Sequence, residues 1–576
     1  MADNLPRANW ITADCDDAAA ALVARELGLA HPVARVLVSR GYGDPHAAEL
    51  FLNPRLSDLS DPLLIPGMQT AVGRILRALD KSEQIAVYGD YDADGVTGAA
   101  MLVLVIEALG GRARAFLPDR LRDGYGFNVA PLQRCLARIE PSLIITVDCG
   151  TGAREAVEEA GRAGVDVIVT DHHEPAELAP AIAVVNARLA ERESIRQIAG
   201  VGVAFKLCHA LVRECMKRGM PCARDLDLRE FLDLAAVGTV ADVAPLTGEN
   251  RTFVRHGLAL MNDRPRPGLR ALRDSAGAPE RLNAYHLGFV IGPRLNAAGR
   301  IEDAELALEL LLTQNARRAR ELAARLESLN RERKRIEDAI LAEAREEIDA
   351  RRETSFAGGI VVGRTGWHSG TIGIVASRLC GIYGAPAAVV AFDADGVGRG
   401  SCRSIEMVDI LEVLRECTTA LCGFGGHAMA AGFSLELRRL DDFKERFDAA
   451  CRSRMEGKDL RPRQTVDAWI TLGEADDDLL ASVERLQPLG HGNPTPVWGL
   501  RAARAAAPPR AVGRKLDHLK LVLACGGSEI EAIAFNMANA RLPDGEMDVA
   551  AQLQENNYLG RRRLQLNIKD LRPSQK

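Results

Sequence analysis

Three short runs of acidic and histidine residues carry the chain's chemical potential. The first is Asp90-Tyr91-Asp92-Ala93-Asp94-Gly95, in which three carboxylates crowd into five residues. Like charges so close repel one another, and a fold tolerates them mainly when cations offset the repulsion. The second is Asp148, in Thr146-Val147-Asp148-Cys149-Gly150, and the third is Asp171-His172-His173. Mixed carboxylate and imidazole donors without thiolates suit Mn²⁺ and accept Mg²⁺. About five or six such ligands are enough for two ions, and a two-ion centre is suited to phosphoryl hydrolysis. Singly, each run has a plainer explanation: Asp171 as a helix cap, Asp148 as the start of a turn, the DxDxDG run as a calcium loop. The calcium loop lacks its closing ligands, because Val96 to Leu104 is apolar.

The elements that must position these residues follow from periodicity. Apolar β-rich runs at Ile85 to Tyr88, Ala113 to Leu117, Leu143 to Val147 and Val165 to Val169 alternate with helical patterns at Gly98 to Leu109, Pro131 to Ile139 and Ala153 to Ala163. This alternation predicts a parallel sheet covered on both faces. Each acidic or histidine run begins just past one of the strands. All three therefore fall at the carboxyl edge, where open α/β folds bind ligands, and the coincidence favours one shared crevice over three unrelated turns.

A mainly helical stretch follows, around Phe205 to Val243, with Phe231, Leu234 and Val237 at helical spacing. From Gln314 to Arg352 the chain is charged and free of Gly and Pro, with Leu322, Leu326, Leu329, Ile336, Ile340 and Ile348 on one face. That pattern predicts one long helix. A second α/β unit is expected next, with strands at Gly359 to Val362, Ala387 to Phe392 and Val397 to Ser401 and glycine-rich joints at Gly366 to Gly373 and Gly423 to Gly432. Beyond Pro462, short β-like runs at Leu519 to Ala524, Ile530 to Phe535, Val549 to Leu553 and Leu564 to Ile568 predict a small barrel. The expected organisation is α/β and multidomain: a helical extension over 1–70, a parallel-sheet catalytic domain over 71–260, a connecting segment and long helix over 261–352, a second α/β domain over 353–460 and a β-barrel over 461–576.

Composition narrows the possibilities further. A chain of 576 residues, 47% hydrophobic and 26% charged, is ordinary globular protein with more than one core. Its longest apolar run, near Met101 to Leu109, is interrupted by Glu107 and falls short of the ~20 residues a bilayer requires. The N-terminus, with Asp3, Arg7, Asp14, Asp16 and Asp17, lacks a basic-then-apolar export pattern, so the expected location is the cytoplasm. None of the 12 cysteines forms a CxxC pair, which speaks against structural zinc and for cysteines as small core hydrophobes. No GxxxxGK[ST] loop occurs, which excludes a P-loop motor. The net charge of −6 includes the carboxylate-rich centre, and basic residues concentrate elsewhere. Arg501, Arg504, Arg510, Arg514, Lys515 and Lys520 face a single acid, Asp517, and Arg561, Arg562 and Arg563 follow, predicting a phosphate-binding surface.

The three runs, in their order, resemble the successive motifs of the DHH phosphoesterase superfamily. Ala236-Val237-Gly238-Thr239-Val240-Ala241-Asp242-Val243-Ala244-Pro245-Leu246 is similar to the segment that closes the metal site of the RecJ family. The resemblance implies Asp92, Asp94, Asp148, His172 and Asp242 as catalytic ligands of two divalent ions, Mn²⁺ by preference or Mg²⁺. Asp90 would be a further ligand, and His173 would bind metal, contact the scissile phosphate or donate a proton. Tyr88 stands where related pyrophosphatases carry a histidine, which counts against pyrophosphate as substrate.

Gly366-Trp367-His368-Ser369-Gly370, Gly400-Ser401-Cys402-Arg403 and Gly425-Gly426-His427 are similar to the DHHA1 domain that accompanies DHH. There Arg399, Ser401 and Arg403 are candidates to hold a terminal phosphate, and His427 is a substrate-contact candidate. Gly292 to Arg300 resembles a further RecJ segment, a Pro/Gly-flanked stretch whose Arg294, Asn296 and Arg300 would contact the strand. The last domain resembles an OB-fold, with Trp498, Phe535 and Tyr558 as stacking candidates.

The implied activity is exonucleolytic hydrolysis of single-stranded DNA from 5′ to 3′ in recombination and repair. A helicase and a single-strand-binding protein are expected partners, and no membrane is. One rival is a phosphodiesterase for short oligonucleotides or cyclic dinucleotides, which would need no strand-gripping barrel. The other is a non-catalytic single-strand DNA-binding scaffold, which would have no reason to keep costly clustered carboxylates.

Overall fold

The computed structural model describes residues 8–350, 358–538, 540, 542–556 and 562–574. Contacts divide the chain into two compact units, one of Ser60–Ala244 and Phe253–Leu460, the other of Met1–Leu59, Pro245–Thr252 and Arg461–Lys576. Asp3, Arg7, Arg352, Tyr558 and Arg561 lie outside the described residues.

In the larger unit, five strands form a wholly parallel sheet in the order Arg112–Phe116, Gln84–Gly89, Leu143–Val147, Asp166–Asp171, Ala183–Asn186. Leu143–Val147 is buried along its whole length and its two neighbours almost so. Burial on both faces is why these strands read as continuous apolar runs and not as alternations. The helix expected from Gly98 begins five residues earlier and spans Ala93–Ala108. Asp92 caps it, its carboxylate accepting from the Asp94 and Gly95 amides, so the acidic run is itself the helix start. Helices Gly200–Lys217 and Leu232–Ala241 pack against it.

The charged stretch is one helix, Ala316–Ala350, of 35 residues, which at 1.5 Å per residue runs about 52 Å. Its buried stripe holds Leu322, Leu326, Leu329, Ile340 and Ile348, and it packs on helices Pro267–Ser275 and Gly292–Ile301. The segment bearing Arg294, Asn296 and Arg300 is helical: Pro293 sits in the first turn, where the missing amide proton costs nothing.

The second sheet is mixed, in the order Gly423–His427, Ala430–Glu436, Val397–Arg403, Ala387–Phe392, Ile360–Thr365, with only the last pair parallel. The stretch Gly423 to Gly432, expected as a joint, is instead a β-hairpin: glycines thin the strands without ending them, and Gly426 and Ala431 pair directly.

In the smaller unit, strands Trp498–Ala505, His518–Cys525, Ser528–Ala534, Met547–Asn556 and Arg563–Pro573 close into a five-stranded ring. Residues 8–59 do not stand apart as a helical extension. Helices Asp17–Leu27, His31–Ser39 and Pro45–Leu52 share one hydrophobic core with the barrel, and strand Asn9–Thr12 pairs with Arg463–Val466. Trp498, a stacking candidate by sequence, is fully buried in that core. Among the described residues no helix is long and apolar enough to cross a membrane.

Candidate metal centre

The carboxyl edge of the parallel sheet gathers the three runs. Asp90 extends strand Gln84–Gly89 by one rung, its amide donating to Val147 O at 3.1 Å. Asp148 does the same past Leu143–Val147, donating to Thr170 O at 3.0 Å. There the backbone of Asp148 turns left-handed, at φ 63°, a conformation Asp tolerates better than most residues. Asp171 ends its strand and supplies no metal-ready atom. Its carboxylate accepts from the Thr151 amide and hydroxyl (3.0 and 2.7 Å) and from the His172 and His173 amides (2.8 and 3.2 Å). It therefore fixes the turn that presents both histidines.

Asp94 is anchored from the other side. Its two oxygens accept from the Gly200 and Val201 amides at 2.7 and 2.8 Å, the first turn of helix Gly200–Lys217. Gly200 is required by contact: a Cβ there would lie 2.8 Å from Asp148 Cβ. Asp242 arrives from just beyond helix Leu232–Ala241.

These placements bring together Asp90, Asp92, Asp94, Asp148, His172, His173 and Asp242. Three ligand sets result, Asp148–His172–His173, Asp94–His172–Asp242 and Asp90–Asp92–Asp148, each with donor atoms within 4.8 Å of one another. His172 belongs to two sets and Asp148 to two, so they form one continuous centre. His172 Nε2 lies 3.0 Å from Asp148 Oδ1 and 3.8 Å from Asp94 Oδ2, and its Nδ1 lies 3.9 Å from Asp242 Oδ2. Yet His172 Nε2, Asp148 Oδ1 and both Asp90 oxygens are buried without a hydrogen bond that satisfies them. Buried polar atoms are ordinarily paired, and a cluster of unpaired donor atoms converging on one space fits cations.

The electrostatics agree. Burial, and then Asp92, pushes the Asp94 carboxyl up to about 7. Burial pushes Asp90, Asp148 and Asp242 well above the usual carboxylate range, reinforced by the neighbouring aspartates. Burial and the charge of His173 push His172 down to about 3, leaving the neutral imidazole a ligand requires. For His173 burial acts downward but is outweighed by Asp171, whose Oδ1 lies 2.8 Å from Nδ1, so its pKa rises. Its Nε2 meets the Tyr125 hydroxyl at 2.7 Å.

Beside this centre lies a guanidinium cluster. Arg403 donates to Ser401 Oγ at 3.0 Å, and Gly373 lets the backbone approach both: a Cβ there would be 3.1 Å from Ser401 Oγ and 3.2 Å from Arg403 Nη2. Arg300 donates to Gly370 O at 3.0 Å. Burial and then Arg120 lower Arg300 to about 9, and burial is likewise the main depressor of Arg403, with Arg120 adding to it. The mutual effect places Arg120, Arg300 and Arg403 in one neighbourhood, and Arg120 also covers the Tyr91 ring at 5.0 Å.

The remaining sequence candidates fall elsewhere. Asn296 accepts from the Ala93 amide at 2.7 Å and so braces the acidic loop. Arg294 is engaged with Glu327 (2.6 Å) and Val290 O (2.8 Å), Arg399 is exposed on strand Val397–Arg403, and His427 is exposed on the edge strand. Sequence reasoning missed Arg120, Tyr125 and the orienting role of Asp171. The signal for the first two was available: Arg120 to Gly126 follows a sheet strand, as the other runs do, and Tyr125 stands between two glycines.

A parallel sheet that collects aspartates and a histidine pair at its carboxyl edge, joined to a mixed-sheet lobe rich in glycine, defines a DHH-type phosphoesterase fold. Family models agree: the DHH family N-terminal domain matches residues 84–239, the DHHA1 domain 356–453 and the RecJ OB domain 466–570. The single-stranded-DNA-specific exonuclease RecJ of Dickeya dadantii is 38% identical over 91% of this chain and 93% of its own. RecJ of Thermus thermophilus in complex with Mn²⁺ superposes with a TM-score of 0.83 at 31% identity, covering 99% of this chain and 80% of that one. Its complex with Mg²⁺ gives 0.76 at 30%, covering 100% and 80%. The chain belongs to the RecJ family.

Proposed function

We propose that this chain is a metal-dependent exonuclease that hydrolyses phosphodiester bonds of single-stranded DNA from the 5′ end toward the 3′ end. The observation that carries the reading is the fusion of three ligand sets around His172 and Asp148 at one sheet edge. Asp90, Asp92 and Asp148 would hold one divalent ion, and Asp94, His172 and Asp242 the other. The donor set favours Mn²⁺ and accepts Mg²⁺, and the Thermus relative was crystallised with each. The chemistry such a pair supplies when bound is Lewis-acid polarisation of the phosphodiester and acidification of the attacking water.

The chain's own residues do the rest. Asp171 holds both histidine amides, so neither ring drifts from the edge. His173, its Nδ1 against Asp171 and its pKa raised, would donate from Nε2 to the scissile phosphate in place of its contact with the Tyr125 hydroxyl. A terminal phosphate carries up to about two negative charges and would relieve the mutual repulsion of Arg120, Arg300 and Arg403, with Ser401 as a neutral donor. A held terminal phosphate supports attack from an end, and the choice of the 5′ end rests on the family resemblance. Exposed Arg510, Arg514 and Lys515 on the barrel support a strand as substrate. Its work would lie in DNA recombination and repair in the cytoplasm, on strands supplied by a helicase and a single-strand-binding protein.

The test is to incubate 5′-labelled and 3′-labelled single strands, with duplex controls, in Mn²⁺ and in EDTA. Early release of mononucleotide from the 5′ label, in Mn²⁺ alone and from single strands alone, is expected. Prompt release from the 3′ label would overturn the polarity, and equal turnover in EDTA would overturn the metal mechanism.

A further inference from the structure

Tyr285 and Phe289 are 61% and 69% exposed, among the most exposed large apolar side chains of the described residues. Their rings stack on one another, centroids 4.8 Å apart and planes 27° from parallel. Aromatic surface of this size is ordinarily withdrawn from water. The backbone beneath them is also unusual: Leu287–Ile291 is π-helical, between helices Ala284–His286 and Gly292–Ile301. Such widened turns are rare and recur at functional sites.

The inner side of the widened turn is tied to the metal centre. Leu287 and Ile291 are buried, and a Cβ on Gly288 would lie 3.4 Å from Val240 Cγ1. Val240 belongs to the helix end that delivers Asp242. Val243, the next residue, is left-handed at φ 61° and 63% exposed. Further along the same helical run, Asn296 braces the acidic loop and Arg300 enters the guanidinium cluster. From Phe289 to Asn296 is about two helical turns, or roughly 10 Å.

We propose that Tyr285 and Phe289 form a stacking platform for nucleobases of the strand whose end is cleaved at the metal centre. That separation keeps the contact within the first few nucleotides of the end being cleaved. A pair of stacked ring faces is recognised by another flat ring, and every base offers one, so the contact tolerates any sequence. Paired bases in a duplex hide those faces, so the platform favours single strands. The inference rests on the nuclease reading.

The test uses the full chain with Mn²⁺ and compares wild type with the doubly substituted Tyr285→Leu/Phe289→Leu protein, which keeps apolar bulk but loses the ring faces. Substrates are single strands of about twenty nucleotides, intact or with abasic positions at the second to fourth nucleotides, and a dinucleotide. Stacking of this kind predicts a KM for the intact strand raised about tenfold with kcat little changed. Dinucleotide turnover should be unaltered, and abasic substitution should harm the wild type but not the double variant. Restoration of the wild-type KM by Tyr285→Phe alone would assign the effect to the ring and not the hydroxyl. Equal KM for both proteins on the intact strand, or equal sensitivity to abasic positions, overturns the platform while leaving the nuclease standing. A wild type inactive on every single strand overturns the nuclease reading and the platform with it.

Discussion

Asp94 is at once a candidate ligand and the acceptor for the first two amides of helix Gly200–Lys217, whereas His172 has no hydrogen bond that satisfies its Nε2. The two residues should therefore respond differently to removal. His172→Ala is expected to lower Mn²⁺-dependent hydrolysis at least a hundredfold, about the upper cost of losing an outer-shell partner, with little change in melting temperature. Asp94→Ala should lose activity as fully but also melt several degrees lower in EDTA, since two buried amides lose their acceptor at ~1–3 kcal/mol each. A normally active His172→Ala protein would remove that residue from the site. The raised carboxyls add a pH signature. The folded metal-free chain holds carboxyl protons that the unfolded chain releases, so its stability should fall as pH rises from about 4, the ordinary carboxyl value, through about 7 for Asp94, with the lowered His172 opposing the fall only below the ordinary imidazole value. Mn²⁺ should flatten that fall and, at pH 6, expel protons on binding. Thermal melts across pH with EDTA or Mn²⁺, and calorimetry in buffers of differing ionisation enthalpy, read both effects, and a metal-free melting temperature that climbs between pH 5 and 8 contradicts them.

Elements explain why much of this site was legible in advance. Buried parallel strands announce themselves as apolar runs, and the rule that ligands gather at their carboxyl ends puts Asp90, Asp148 and His172 on one edge from sequence alone. What periodicity could not reveal were contacts between elements. Asn296 bracing Ala93 and Arg120 meeting Arg300 and Arg403 each join residues far apart in sequence. The hairpin at Gly423–Glu436 was hidden because glycines, poor strand formers alone, are held on the edge strand Gly423–His427 by pairing with Ala430–Glu436, itself paired on both sides. Trp498 was hidden because its strand opens with three buried residues in a row, Trp498 to Leu500, so no alternation marks the ring as facing inside. One inter-element contact is directly testable. Gly200→Ala adds a methyl 2.8 Å from Asp148 Cβ and 2.9 Å from its Oδ1, so it should displace a ligand without unfolding the sheet. We expect hydrolysis to fall about tenfold or more and Mn²⁺ affinity to weaken in parallel, measured by metal titration of activity. Unchanged affinity would mean that the helix moves aside.

At the scale of the whole molecule, the smaller unit is assembled from three separated stretches of chain, and this constrains how it can be dissected. Val33, Leu37 and Leu52 share a core with Leu486, Trp498 and Leu521, so ending the chain at Leu460 strands an apolar face that the N-terminal helices cannot cover alone. Such a truncated chain should aggregate, seen as lost soluble yield and void-volume elution, and a monodisperse product with normal helix content would show that those helices are stable without the barrel. Arg251 is the tie between the stretches. It is 1% exposed, donates to Phe51 O, Gln487 O and Pro488 O at 2.5, 2.8 and 3.2 Å, and lies over the Phe51 ring at 3.8 Å. One guanidinium thus satisfies carbonyls on two segments while belonging to a third, and no aliphatic replacement can do so. Arg251→Ala should cost about 3 kcal/mol or more, at ~1–3 kcal/mol for each buried carbonyl left without its donor. Because the parallel sheet and its ligands belong to the other unit, the loss should fall on one transition of a two-step denaturant melt and leave the second, metal-sensitive transition where it was. A single transition shifted as a whole would mean that the two units unfold together.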